Sequence, residues 1–139
     1  MNIVAKHFSS YDRETEEHRK SLRYPLHFQA AVVYHQHKDA ATRPTFHGRT
    51  GDLSIAGASL VLDHNVFHSD DVTILLAVPA VHPGESKRII EITAKMVYTV
   101  FSPPHDAFRI GLAFQQFKGT SKSLLETILE QRSFYAQDL

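Results

Sequence analysis

Five residues in two short stretches carry the chemistry that this sequence offers. In "GRTGDLSIAGASLVL", Gly48–Leu62, an acid, a hydroxyl and a glycine stand at Asp52, Ser54 and Gly57, spaced DxSxxG. Upstream, "EEHRKSLRYPL", Glu16–Leu26, holds Arg19 and Arg23, spaced RxxxR. A guanidinium fork matches the oxygen pair of a phosphate or carboxylate and also stacks on aromatic faces. A carboxylate accepts two neighbouring donors at once. Ser54, two residues after Asp52, shares its side of an extended segment. Gly57 lets backbone turn sharply or be approached closely. Each feature also has an ordinary reading. Asp52 and Ser54 are common Asx- and ST-turn residues, Gly57 a common bulge residue, and the arginines can pair with Glu14, Glu16 or Glu17 on a helical turn.

Other constellations are weaker. His35 and His37 form HxH on a strand, and His47 can lie across a hairpin from them, but the spacing matches no established ligand offset, and no metal is expected. Asp52, Ser54 and a histidine such as His47 are triad residue types, yet there is no G-x-S-x-G elbow and no G-x-x-x-x-G-K-[ST] loop. The chain is therefore expected not to be an enzyme.

The elements that must position these residues follow from periodicity. Residues 1–18 read as a polar arm. From Leu26 the pattern has period two, with Leu26, Phe28, Ala30, Val32 and Tyr34 on one face. Further strands are expected near 45–50, 58–62 and 72–78, then 88–101 with Ile90, Ile92, Ala94, Met96, Tyr98 and Val100 inward. A sixth, 107–117, turns Phe108, Ile110, Leu112 and Phe114 inward. "SKSLLETILEQR" places Leu124, Leu125, Ile128 and Leu129 on one helical stripe, predicting a helix over about 120–133. Ser123 and Glu126 have capping-box spacing, and Thr120 or Ser121 are further cap candidates. Six strands with one apolar face each are best buried by closure, which also removes exposed edges. The expected fold is all-β, a six-stranded antiparallel barrel with a C-terminal helix, spanning 19–133 with a tail at 134–139.

Bulk properties agree. The chain has 139 residues, one domain's worth, and 42% of them are hydrophobic. Fifteen basic residues balance fifteen acidic ones, which argues against general DNA or RNA binding but leaves room for a local anion site. With no cysteines there are no disulfides or thiolate metal sites, and a reducing, cytoplasmic location is expected. No segment is long and apolar enough for a signal peptide or a membrane span.

Together, in this order and at these strand boundaries, RxxxR and DxSxxG resemble the two signature motifs of PilZ domains. "FRIGLAF", Phe108–Phe114, is similar to a late strand of that family, and the resemblance covers roughly residues 19–132. It implies a split-barrel fold and binding of the bacterial second messenger cyclic di-GMP, with no other cofactor. Implied ligand residues are Arg19, Arg23, Asp52, Ser54 and Gly57, with His18 and Lys20 beside the first arginine. Guanine presents N1–H and N2–H₂ side by side, which suits Asp52, while the arginines suit phosphate, guanine O6 and N7, or the purine face. Many family members carry arginine where this chain has His18, a position implied to bear on whether one ligand or a stacked pair binds. The expected mechanism is reordering of residues about 10–24 over the barrel, changing contact with a downstream protein in motility, exopolysaccharide, biofilm or virulence control. No fused output domain is read in the chain. The alternative is a PilZ-type adaptor that binds its partner protein without nucleotide.

Overall fold

The computed structural model describes residues 22–35, 43–80 and 83–137. Six strands follow in chain order: β1 (Gln29–Tyr34), β2 (Thr45–Leu53), β3 (Gly57–Leu62), β4 (Val72–Val78), β5 (Arg88–Ser102) and β6 (Ala107–Phe117). One helix, α1 (Ser121–Gln137), ends the described chain. The strands close into a barrel in the order β1-β2-β3-β6-β5-β4, every pairing antiparallel. This is the expected architecture.

Alternation explains most of the core. In β4, Val72, Ile74, Leu76 and Val78 are fully buried, and the residues between them are half-buried. Val32, Leu60, Ile90, Ile92 and Ile110 complete the same interior from the other strands. A side chain of this kind contributes about 1.5–3 kcal/mol when it leaves water. Leu125, Ile128 and Leu129 of α1 join this cluster, so the helix covers apolar surface that the barrel leaves open. Its start is tied to β5: the Glu91 amide donates to Ser121 Oγ at 3.1 Å, and Lys118 Nζ lies 3.3 Å from the Glu91 carboxylate.

Several expectations need adjustment. The helix starts at Ser121, so Ser123 lies inside its first turns, where its carbonyl accepts from Thr127 Oγ1 at 3.0 Å. The capping box at Ser123 and Glu126 is therefore not the start signal. The helix also continues to Gln137, beyond the expected 133. β1 begins at Gln29 rather than Leu26, and β2 runs past Thr50 to Leu53.

The largest correction concerns Tyr98 and Val100, which are not inward. Met96 pairs with Leu112 but Tyr98 pairs with Gly111, so Val97 is an extra residue in β5. Such a bulge reverses the alternation beyond it. Thr99 and Ile110 now share a face, while Tyr98 and Val100 turn outward, 39% and 50% exposed.

Candidate functional site

The DxSxxG corner is built by a second bulge. Thr50 pairs with Leu60 and Asp52 with Ser59, leaving Gly51 as the extra residue of β2. In strict alternation Asp52 would share the inner face of Thr50, which is fully buried. The bulge turns Asp52 to the outer face and leaves Leu53 pointing inward, also fully buried. Ser59 then locks the acid: its amide donates to Asp52 Oδ1 and the Asp52 amide donates to Ser59 Oγ, both at 3.1 Å.

Ser54 has a different task from the one its type suggests. It is 1% exposed, and its Oγ accepts from the Ala56 and Gly57 amides, each at 3.1 Å. It shapes the turn from β2 into β3, and its hydroxyl faces into that turn rather than outward. Gly57 is required by a close approach, though not to an open surface. A Cβ there would stand 2.2 Å from the Leu112 carbonyl oxygen of β6. Any larger residue forces β3 and β6 apart.

Arg23 is brought to this corner by the segment that precedes β1. Tyr24 and Leu53 exchange backbone hydrogen bonds, each 2.9 Å. Thr50 pegs the same segment, its Oγ1 accepting from the Phe28 amide at 2.8 Å and donating to the Leu26 carbonyl. The chain thus passes along the end of β2, and Arg23 Nη1 lies 3.4 Å from Asp52 Oδ1. Arg19, His18 and Lys20 lie outside the described residues, as does His37. His35 pairs with Thr73 through its side chain, and no group of three metal-ligating side chains occurs among the described residues.

Sequence reasoning missed Arg109 and Tyr98. Arg109 Nη2 donates to Asp52 Oδ2 at 3.0 Å, so both carboxylate oxygens face a guanidinium. The signal for Arg109 was its place between inward Phe108 and Ile110, which alternation sends outward. Tyr98 carried no such signal, because the bulge at Val97 decides its face. Across four strands Asp52, Ser59, Gly111 and Tyr98 stand in one row by register, and Val61, Arg109 and Val100 follow in the next. The Tyr98 ring covers Gly111 so closely that a Cβ there would meet ring carbons at 2.0 and 2.5 Å. The outer face therefore presents a carboxylate between two half-exposed guanidiniums, with an aromatic plane in the same row. That surface has hydrogen-bond acceptors, cations and a stacking face for one polyfunctional anion.

The sequence profile of the PilZ domain matches residues 17–131, most of the chain. The protein belongs to the PilZ domain family. Similar folds include the Bacillus subtilis inhibitor of motility MotI/DgrA, with 16% identity and a TM-score of 0.63, covering 83% of this chain and 52% of MotI. The PilZ domain of Escherichia coli YcgR, solved with c-di-GMP, has 14% identity and a TM-score of 0.58, covering 86% of this chain and 95% of that one. Klebsiella pneumoniae MrkH, solved as a c-di-GMP complex, has 16% identity and a TM-score of 0.57, covering 86% of this chain and 54% of that one. This PilZ chain spans about half the length of MotI and MrkH. No curated protein matches it significantly in sequence. Among the described residues, no helix is long and apolar enough to cross a membrane.

Proposed function

We propose that this PilZ domain is a receptor for cyclic di-GMP and that the ligand works by exchanging charge partners at Asp52. The observation that carries the reading is the 3.4 Å approach of Arg23, from RxxxR, to Asp52, from DxSxxG. Without ligand the carboxylate is the counter-ion of Arg23 and Arg109. Guanine's N1–H and N2–H₂ supply the two donors that replace them. The released guanidiniums then take the phosphates, where bidentate pairing is available. Binding thus conserves the number of charge-assisted contacts while moving Arg23, and the segment that carries it, relative to the barrel.

Arg19, His18 and Lys20 precede Arg23 in sequence, and we assign them to the same ligand. Ser54 and Gly57 hold the corner, and Tyr98 offers its ring to a purine. Stacking of this kind is worth about 1–3 kcal/mol per base. The output is a changed surface of residues about 10–24 over the barrel, read by a downstream protein. Val97, Val100 and Phe101, each about half exposed, lie on the adjoining strand as apolar surface for such a partner. PilZ proteins similar in fold include an inhibitor of motility, which makes motility control the first pathway to examine.

Calorimetric titration of the full chain with cyclic di-GMP tests the reading. Saturable binding that Arg19→Ala, Arg23→Ala and Asp52→Ala each weaken about tenfold or more is expected, since each removes a charged partner. Unchanged affinity in all three would overturn the site. Absence of binding in the unmodified chain would leave the nucleotide-independent adaptor as the better description.

A further inference from the structure

Strand β5 outruns its neighbour on one side. Its pairing with β4 ends where Val72 meets Ala94, while its pairing with β6 continues to Ser102 opposite Ala107. Beyond Ala94, alternate backbone N–H and C=O groups of β5 therefore point away from β6. Among the described residues, no other strand meets this edge, and residues 95–101 make no backbone hydrogen bond except to β6. The loop of residues 63–71 touches the stretch at its side chains: Thr99 Oγ1 donates to Asn65 Oδ1 at 3.0 Å, and the His68 amide donates to Met96 Sδ at 3.2 Å. The edge itself, "VYTVF" at residues 97–101, is β-branched or aromatic throughout and uncharged. Val97, Val100 and Phe101 are about half exposed, and Tyr98 is 39% exposed. An open edge of this composition is a template for one more strand.

The chemistry of the edge fits a second copy of itself. Two identical antiparallel strands related by a two-fold axis place one residue opposite its own counterpart, and opposed residues share a face. The bulge at Val97 leaves Tyr98 and Val100 outward with Thr99 inward between them. The register that matches faces and sets each Tyr98 against an apolar neighbour is centred on Thr99. Thr99 then meets the partner's Thr99, Tyr98 meets the partner's Val100, and Val97 meets the partner's Phe101. Thr–Thr and aromatic–β-branched pairs are favourable cross-strand neighbours. Charge agrees at the ends. Lys95 comes opposite the partner's Pro103, at the start of the turn, Pro103–His105, that leads to Asp106. Lys95 and Asp106 are both exposed, and neither has an ion pair or side-chain hydrogen bond among the described residues. A second copy brings each of them the opposite charge, and no like charges oppose each other along the paired stretch. We propose that the chain forms a two-fold dimer by antiparallel pairing of these β5 edges. The row that runs from Asp52 to Tyr98 then continues into the partner's Val100 and the partner's Arg109. Four part-exposed apolar side chains and a short edge from each copy fall below the roughly 800 Å² per partner of a standard interface, so the dimer is weak and depends on concentration. A downstream protein that docks on the same apolar strip would compete with it.

Sedimentation of the full chain without nucleotide tests the dimer. Over about 1–500 µM, the range of a weak contact, the mass should rise from 15.7 kDa toward twice that value. Val100→Lys sets a charge on the edge and should weaken the dimer by about tenfold or more. Val100 is half exposed, so the melting curve should overlay that of the unmodified chain; Val97→Lys is a second variant with the same expectation. Cross-linking reads the register, since the chain has no cysteine of its own. Thr99→Cys sets two thiols directly opposite each other, with Cα atoms about 4.5–5.5 Å apart and within disulfide range. Val100→Cys leaves its two thiols on a diagonal of roughly 7–8 Å, past that range. Oxidation should therefore link Thr99→Cys into a covalent dimer faster than Val100→Cys by about tenfold or more, although Val100 is the more exposed of the two residues. A mass of 15.7 kDa at every concentration would overturn the proposal and leave the edge to a different protein. A dimer that both lysine variants leave intact, or that Val100→Cys links as fast as Thr99→Cys, overturns it as well.

Discussion

The wall formed by β4 with β1 and the wall formed by β2, β3, β6 and β5 are made from the same kind of strand but do different work. Along β4 inward and outward residues alternate without interruption, and its pairing with β1 and β5 runs in unbroken register over the strand. The opposite wall is interrupted at Gly51, at Gln115 and at Val97, and the first and last of these concern the candidate site. The bulges at Gly51 and Val97 reverse the alternation locally and send outward side chains that strict period two would bury, Asp52 in one case and Tyr98 in the other. Regularity fills the core; irregularity places the polar and aromatic groups on the surface in one row. The candidate site is thus a product of where the sheet departs from its own rule, supported by a wall that keeps it.

Breaking the irregular wall should have the largest effect. Deleting Gly51 restores alternation and turns Asp52 toward the interior. An unpaired buried carboxylate costs about 3–5 kcal/mol, so thermal unfolding should shift down sharply and ligand binding should vanish together. Gly57→Ala acts on the same wall by pushing β3 from β6, and a large loss of thermal stability is expected there too, in calorimetric melting. Breaking the regular wall should cost stability without touching recognition. Leu76→Ala empties a fully buried position, and chemical denaturation should show a loss of about 2–5 kcal/mol. Affinity of the remaining folded protein should be unchanged.

Smaller changes sharpen the comparison. Arg109→Ala removes one of the two guanidiniums at Asp52 from a half-exposed position, where such pairs are worth about 0–1 kcal/mol. Denaturation should hardly move, while titration with cyclic di-GMP should reveal a change, because Arg109 is assigned to the ligand's phosphate. An unchanged affinity would confine Arg109 to holding Asp52. A change in β1 should leave recognition untouched. Tyr34 donates to the Val66 carbonyl, and burial pushes its phenol above the usual value. A raised folded-state value means that this stability is present below the ordinary phenol range near pH 10 and is lost as pH rises through the folded value. Tyr34→Phe should lower stability by about 0.5–1.5 kcal/mol near neutral pH and flatten the alkaline limb of the stability curve.

Much of this protein follows from its sequence alone. Period two in "VTILLAV" and in "FRIGLAF", and the stripe of Leu125, Ile128 and Leu129, determine which residues leave water, because apolar area is a property of each side chain and its spacing. Closure then follows from having six one-sided strands. The sequence also marked Arg23, Asp52, Ser54 and Gly57 as belonging together. It did not determine what each does. Ser54 turns inward because the amides of its own turn claim its hydroxyl, and Gly57 is demanded by the Leu112 carbonyl of a strand more than fifty residues away. Arg109 meets Asp52 because β6 pairs with β3 rather than with its chain neighbour alone, and Tyr98 faces outward because β5 accommodates an extra residue against β6. Pairing between strands distant in sequence and the bulges it tolerates depend on partners that no local pattern contains, so only the tertiary structure could decide them.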